Sequence, residues 1–335
     1  MPVDLAPLTD ADDGLHPVGT EPDWNESRYL DFFDAAQGMA GWLRVGQRVN
    51  EGHAEVSVCL HLPDGGTAFG FARAPIDRAA DGAGGVEFQV VQPFRRCGVQ
   101  FDGELSLLPD AAALSDPRSA FRDNPRVPVS IDLIVHGRGL ASVLGADQSH
   151  IGAIFLPGQA HAHYQHLVRS VGDIRLGDHR WTVDGRGARD QSWGPRRWHS
   201  KRWFRWLCAA IDDDSGFMLT RSEGCGEARV GGFMWEAGEP HWIDRIELQT
   251  TRDASLRQRS VEVCFYSGQR EWRATGISQD TLPLRHRQRS AEGADTELRI
   301  VKAPTAWRFG DGRHAAGITE YHDLMEAGRP AGLAF

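Results

Sequence analysis

Short runs of alternating apolar and polar residues, cut at close intervals by glycine and proline, run through this chain of 335 residues, which holds 38 Gly and 17 Pro. Val56, Val58, Leu60 and Leu62 alternate with Glu55, Ser57, Cys59 and His61. Val129, Ile131, Leu133 and Val135 alternate with Ser130, Asp132 and His136, and Val261, Val263 and Phe265 with Glu262, Cys264 and Tyr266. A period of two sends alternate side chains to opposite faces of a strand. Further strands are expected at 67–73, 86–92, 99–108, 161–169, 173–183, 204–211, 216–222, 229–236, 242–250, 270–277, 296–302 and 314–321. Turns are expected at Pro63-Asp64-Gly65-Gly66, Asp184-Gly185, Asp214-Ser215-Gly216 and Asp311-Gly312. No long stretch repeats at 3.6 residues; short helices fit only 110–122 and 139–149. The pattern is that of an all-β protein, and the strands are too many for one small barrel. Two stacked β-domains fit, with an acidic, Pro-rich arm at 1–22 lying on the surface and domains at 23–165 and 166–335.

Lys and Arg number 37 and Asp and Glu 46, a formal charge of −9 with no basic block. Nucleic acid is a poor partner for such a chain. No apolar run reaches the roughly 18 residues of a membrane helix. The five cysteines are scattered without CxxC spacing, so they read as reduced thiols rather than a disulfide framework or zinc ribbon. The N-terminal stretch lacks the basic and apolar regions of a signal peptide, and the expected compartment is the cytoplasm. A homodimer is allowed but not required.

Segment 184–206 packs four Trp (Trp193, Trp198, Trp203, Trp206) and six Arg into 23 residues. Trp is costly to expose and Arg costly to bury unpaired. Indole rings stacked on guanidinium groups and closed by Asp190 form either the mouth of a cavity or a structural plug in which Arg189–Asp190 pins a strand crossing.

The same stretch, Gly185-Arg186-Gly187-Ala188-Arg189-Asp190-Gln191-Ser192-Trp193-Gly194-Pro195-Arg196, resembles the signature G-x-G-x-R-D-x-S-W-G-x-R of the lipocalin-like AttH/carotenoid-1,2-hydratase (hydroxyneurosporene synthase) superfamily. Trp24-Asn25-Glu26-Ser27, Gly317-Ile318-Thr319-Glu320-Tyr321-His322-Asp323 and Gly328-Arg329-Pro330 resemble its bacterial branch. The resemblance implies two tandem lipocalin-like β-barrel or β-sandwich domains, hydrophobic or isoprenoid-type substrates and chemistry without a cofactor. Members of the superfamily include hydratases of isolated C=C bonds and pericyclic cyclases. Carotenoid hydratases carry a His two residues before the motif Trp, where this chain has Gln191, and a Tyr-x-Asp pair at a spacing that here lands on Met218 and Thr220. Carotenoid hydration itself is therefore not expected.

His161-Ala162-His163-Tyr164-Gln165-His166 would place His161, His163 and Gln165 on one strand face and Tyr164 and His166 on the other. A cupin-type metal site fails, because the positions that need Glu hold Leu167 and Val168; no metal is expected. These histidines are either satisfied in a half-buried strand or proton-transfer groups on a cavity wall. Glu320 and His322 would share a face, as an imidazole oriented by a carboxylate or as a solvated edge. GxSxG, GxxxxGK[ST] and HExxH motifs are absent. The leading reading is a cofactor-independent enzyme acting on C=C bonds of a small terpenoid, steroid-like or polyketide-like molecule, as hydratase, dehydratase, isomerase or cyclase. Asp190, His163, His166 and Tyr164 would carry the chemistry. Trp193, Gln191, Arg189, Arg196, Trp206, Trp235, Glu320 and His322 would contact substrate. The alternative is a carrier of an apolar metabolite, which needs the cavity but not the titrating groups.

Overall fold

A computed structural model describes residues 7–76, 81–137, 143–144, 154, 156, 160–224, 226–289 and 295–334. The chain forms two compact units, Met1–Ile151 with Ala160–Arg196, and Gly152–Gln159 with Arg197–Phe335. The expected domain boundary at 165/166 falls inside one strand of the first unit, which runs from Ala162 to Leu176.

The first unit holds β1 (Trp24–Asp34), β2 (Met39–Arg48), β3 (His53–His61), β4 (Thr67–Ala74), β5 (Gly82–Ala83), β6 (Val86–Gln92), β7 (Arg96–Leu108), β8 (Arg126–Gly137), β9 (Val143–Leu144), β10 (Ala162–Leu176) and β11 (His179–Pro195). They form one antiparallel sheet in the order β4-β3-β2-β1-β11-β10-β8-β7-β6-β5, with β9 on β10. Pairing of β4 with β7 closes it into a barrel. Leu30, Phe32, Leu43, Val58, Val99, Leu133, Val168 and Val183 fill the inside, and their positions fix which alternate residues of each strand point inward. The segment expected to be helical at 110–122 holds a 3-10 turn, Ala111–Ser115, and the short helix α1, Pro117–Asp123. The segment expected at 139–149 lies outside the described residues apart from β9.

The second unit holds β12 (Trp203–Ala210), β13 (Gly216–Gly224), β14 (Glu227–Glu236), β15 (Glu239–Trp242), β16 (Arg245–Arg252), β17 (Gln258–Ser267), β18 (Arg270–Ser278), β19 (Leu282–Arg289), β20 (Asp295–Phe309), β21 (His314–Glu326) and β22 (Arg329–Pro330). The order is β15-β14-β13-β12-β21-β20-β18-β17-β16, with β19 on β20 and β22 on β21. Leu207, Phe217, Leu219, Val261, Phe265, Trp307 and Tyr321 belong to its core. The expectation of an all-β chain with two lipocalin-like β-domains is met.

Two expectations are corrected. Asp184-Gly185 is not a turn. β10 and β11 join at Gly177, whose φ is +57°, and β11 runs straight through 184–185. The motif glycines serve close approach instead, since a Cβ on Gly187 would collide with the Asp31 carbonyl of β1. Nor does the acidic arm simply lie on the surface. Asp13 is 0% exposed and sits against the first barrel's inward-facing residues.

Candidate functional site

Inward-facing residues of β11 follow one another at 189, 191 and 193, and the N-terminal segment meets all three. Arg189 donates to Asp13, with Nη1–Oδ2 at 3.2 Å and Nη2–Oδ1 at 2.5 Å. The Phe94 amide donates to Asp13 Oδ2 at 2.6 Å. The Tyr164 hydroxyl donates to Asp13 Oδ1. Gln191 Nε2 donates to the Gly14 carbonyl at 2.7 Å and to Glu26 Oε1 at 3.1 Å, while its oxygen lies 3.1 Å from the Tyr164 hydroxyl. His16 Nδ1 lies 2.8 Å from Glu26 Oε1, and its ring stacks on Trp193 at 3.7 Å and 11°. Arg28 of β1 reaches the Asp13 carbonyl at 3.0 Å and Asp81 Oδ2 at 2.7 Å.

Burial alone would raise the Asp13 pKa, but the Arg189 charge and the converging donors outweigh it and hold the carboxyl below its ordinary value. Burial pushes the Tyr164 hydroxyl well up, so it remains a donor. His166 also faces inward, 1% exposed, edge-on to Tyr164 and Phe94. Burial, seconded by Arg189, lowers its pKa to about 3, so the ring is neutral. Neither of its nitrogens has a hydrogen-bond partner. This cluster closes one end of the barrel with the chain's own N-terminal segment, and Asp13, Glu26, His16 and Arg28 belong to it although the alternation gave no sign of them.

The other expected residues of this unit lie elsewhere. Strand alternation turns Asp190 away from Arg189 and Gln191, and the carboxylate that binds Arg189 is Asp13, not Asp190. His163 is buried on the face opposite Tyr164 and His166. Arg196 donates to Ser192 Oγ at 2.7 Å.

In the second unit Glu320, His322 and Lys302 meet on the outward face of β20 and β21, beside β12. Register sets Trp206, Glu320 and Lys302 in one row, and Phe204, His322 and Ile300 in the next. Glu320 Oε2 pairs with Lys302 Nζ at 2.6 Å, and Glu320 Oε1 lies 2.5 Å from His322 Nε2. Burial opposes ionisation of Glu320, yet the Lys302 charge and the His322 bond overcome it and hold the carboxyl well below its usual value. A carboxylate without a proton can only accept, so His322 carries its proton on Nε2 and its lone pair on Nδ1. That Nδ1 is buried without a hydrogen-bond partner. Phe204 and Trp198 flank the ring at 5.2 and 6.3 Å. Burial lowers the His322 pKa to about 4 against the raising effect of Glu320. Trp235 is buried on β14. Among the described residues, no three His, Cys, Asp or Glu side chains converge as metal ligands, and no helix is long and apolar enough to cross a membrane.

A protein family described as "Domain of unknown function (DUF7064)" matches residues 9–325. The chain belongs to this family. No curated protein matches it. Among solved structures, an AttH-type protein from Nitrosomonas europaea aligns at 15% identity and TM-score 0.54, covering 95% of this chain and 98% of that one. CghA with Sch210972 aligns at 11% identity and TM-score 0.54, covering 93% and 90%. Kievitone hydratase from Nectria haematococca aligns at 8% identity and TM-score 0.51, covering 89% and 87%. These alignments show that this DUF7064 chain shares the tandem lipocalin-like fold of those structures. The DUF7064 match starts at residue 9 and so takes in the Asp12–His16 segment that seals the first barrel.

Proposed function

We propose that this protein is a cofactor-independent enzyme that moves a proton on a small hydrophobic substrate, with His322 as the base and Glu320 as the group that orients it. The observation that carries the reading is the Lys302–Glu320–His322 chain, which leaves the His322 Nδ1 lone pair beside aromatic rings. A carboxylate bonded to one imidazole nitrogen fixes the tautomer and favours the imidazolium that forms when the other nitrogen takes a proton. A ring with a pKa of about 4 also returns its proton readily, because its cation is poorly solvated. Abstraction at one carbon and return at another is isomerisation; abstraction with loss of hydroxide is dehydration, and its reverse is hydration. Trp206 and Phe204 lie in the adjoining rows, so an apolar skeleton rather than a sugar or nucleotide suits the surroundings. One structural neighbour is by name a hydratase, which supports the same chemical class. His166 and Tyr164 form a second candidate pair, in the first barrel, with Asp13 as the carboxylate.

The test begins with native mass spectrometry of the full chain and extraction of any bound small molecule. That molecule and its hydroxylated and unsaturated analogues are then incubated in D2O with wild type and with His322→Gln. Deuterium incorporation or turnover by wild type, cut at least tenfold in the variant, is expected. A bound molecule returned unchanged and without deuterium by wild type would make the protein a carrier. Equal turnover by His322→Gln would move the chemistry to another group.

A further inference from the structure

We propose that the Asp13 carboxylate is a tethered stand-in for a ligand: the closed end of the first barrel is a receptor for a small hydroxy- or keto-carboxylic acid, and residues 7–16 form a strap that lifts to admit it. The site is separate from the reaction assigned to His322. The receptor belongs to the barrel and not to the strap. β11 supplies the Arg189 fork, β10 the Tyr164 hydroxyl, and the turn between β6 and β7 the Phe94 amide, all donating to the Asp13 carboxylate. A guanidinium fork matches the two oxygens of a carboxylate. Phe94 has φ +56°, a left-handed conformation that a bulky residue rarely adopts. Its amide donates to Asp13 from that conformation, so the backbone strain is held in the barrel's own turn, beside the carboxylate.

The cluster also holds polar atoms that Asp13 does not serve. Both ring nitrogens of His166 are buried with no hydrogen-bond partner among the described residues, and so is Arg189 Nε. His166 faces Arg189 across the β10–β11 register and lies edge-on to Tyr164 and Phe94. Buried polar atoms left unpaired are costly. A hydroxyl or keto oxygen carried next to a ligand carboxylate would meet the imidazole, which Asp13 lacks the atoms to do.

The strap is lightly attached. Among the described residues of the N-terminal segment, 7–23, Asp13 alone is fully buried, and the regular structure there is one 3-10 turn, Asp10–Asp13. Leu8 packs on Phe94 and Tyr164, His16 stacks on Trp193, and the Gly14 carbonyl accepts from Gln191. Lifting the strap alone would leave Arg189 buried without its carboxylate, which is strongly unfavourable. Exchanging one carboxylate for another keeps Arg189 paired, so the cost falls to the shallower contacts. The Asp13 side chain is a methylene bearing a carboxylate, the size of acetate, so the space it vacates admits the head of a small acid.

Asp13→Ala in the full chain is titrated with acetate, and separately with lactate, against sodium chloride at equal ionic strength. A saturable rise is expected, about 5 °C in Tm at a hundredfold excess over Kd. Lactate should bind at least tenfold more tightly than acetate, and adding Tyr164→Phe should weaken both at least tenfold. Wild type is tested by hydrogen exchange. The Asp12, Gly14 and His16 amides, bonded to Thr9, Ala11 and Glu26, should exchange at least tenfold faster in lactate, while the Phe94 amide stays protected. A rise reproduced by chloride, no response of Asp13→Ala to either acid, or affinity indifferent to Tyr164→Phe would overturn the receptor. Strap amides in wild type that ignore lactate at a hundredfold excess over the variant's Kd would overturn the strap, and equal affinity for the two acids the contact to His166. If Asp13→Ala does not fold, the wild-type exchange decides alone: unchanged strap amides in 0.5 M lactate, roughly a hundredfold excess over a millimolar Kd, would overturn the proposal.

Discussion

Asp13→Asn tests whether the N-terminal segment is part of the first barrel. The substitution keeps the shape of the side chain and removes its charge. Arg189 is 1% exposed and Asp13 0%, so the variant leaves a guanidinium group buried opposite a neutral amide. Losing one partner of a buried ion pair costs about 3–5 kcal/mol. The new amide NH2 also faces Tyr164, Arg189 and the Phe94 amide, all of them donors toward this side chain, which places the cost in the upper part of that range. With a urea m-value of about 2 kcal/mol/M, the unfolding midpoint of the first unit falls by ~2–2.5 M, read by circular dichroism and by hydrogen exchange across 162–195. The pH dependence gives an independent check. The folded pKa of Asp13 lies below the unfolded value, so its contribution is fully present above about pH 4. It is lost as pH falls through the lower, folded value, and the gap between wild type and variant narrows there. A loss under ~1 kcal/mol at neutral pH, or a gap that does not depend on acid pH, would refute an ionised, structural Asp13.

Three further outcomes follow from particular contacts. Gly194 has φ +118°, and a Cβ there would strike the His161 backbone nitrogen; Gly194→Ala should lose at least ~2 kcal/mol in the same unfolding assay, and a neutral result would mean the strand end relaxes freely. In the proposed reaction the neutral form of His322 acts, so the rate should rise with pH around pH 4 and then stay level; an acid limb near pH 6.5, an unperturbed value, would place the base elsewhere. Glu320→Gln should move that limb to lower pH, because the Glu320 carboxylate raises the His322 pKa; a lower rate with an unmoved limb would mean that Glu320 only holds structure.

Legibility in the sequence followed the separation of polar from apolar faces. β7, β8 and β17 alternate because one face is packed in a core and the other is polar; β3 alternates in the same way although nearly all of it is buried. β1 shows no alternation because polar residues sit on both of its buried faces, Glu26 and Arg28 on one and Asn25, Ser27 and Asp31 on the other. Those polar groups are hidden only because partners reach them from distant parts of the chain. β19 was invisible for the opposite reason: Arg285, Arg287, Gln288 and Arg289 are exposed, and it hangs on β20 alone. The dense Arg–Trp segment drew attention to the right stretch, but β11 itself was not legible: the expected strand at 173–183 spans the β10–β11 turn, and the expected turn at 184–185 lies inside β11. The partner of Arg189 did not show, since Asp13 lies 176 residues away from it among equally acidic neighbours. The shared face of Glu320 and His322 could be read from their spacing; Lys302, eighteen residues earlier on the neighbouring strand, could not.

The stretch that gives the fold away is also occupied by holding the fold together. Gly187 lets β11 approach Asp31, Arg189 binds Asp13, Gln191 bridges Gly14 and Glu26, Trp193 stacks on His16, and Gly194 takes a backbone conformation that other residues rarely adopt. Each of these contacts is intramolecular, so the motif can persist in a chain whatever reaction that chain performs. A motif of this kind carries the scaffold, and function has to be argued from groups the scaffold leaves chemically poised. In this chain the clearest such group is His322, a buried neutral imidazole with one nitrogen bonded to Glu320 and the other carrying a lone pair that no hydrogen bond engages.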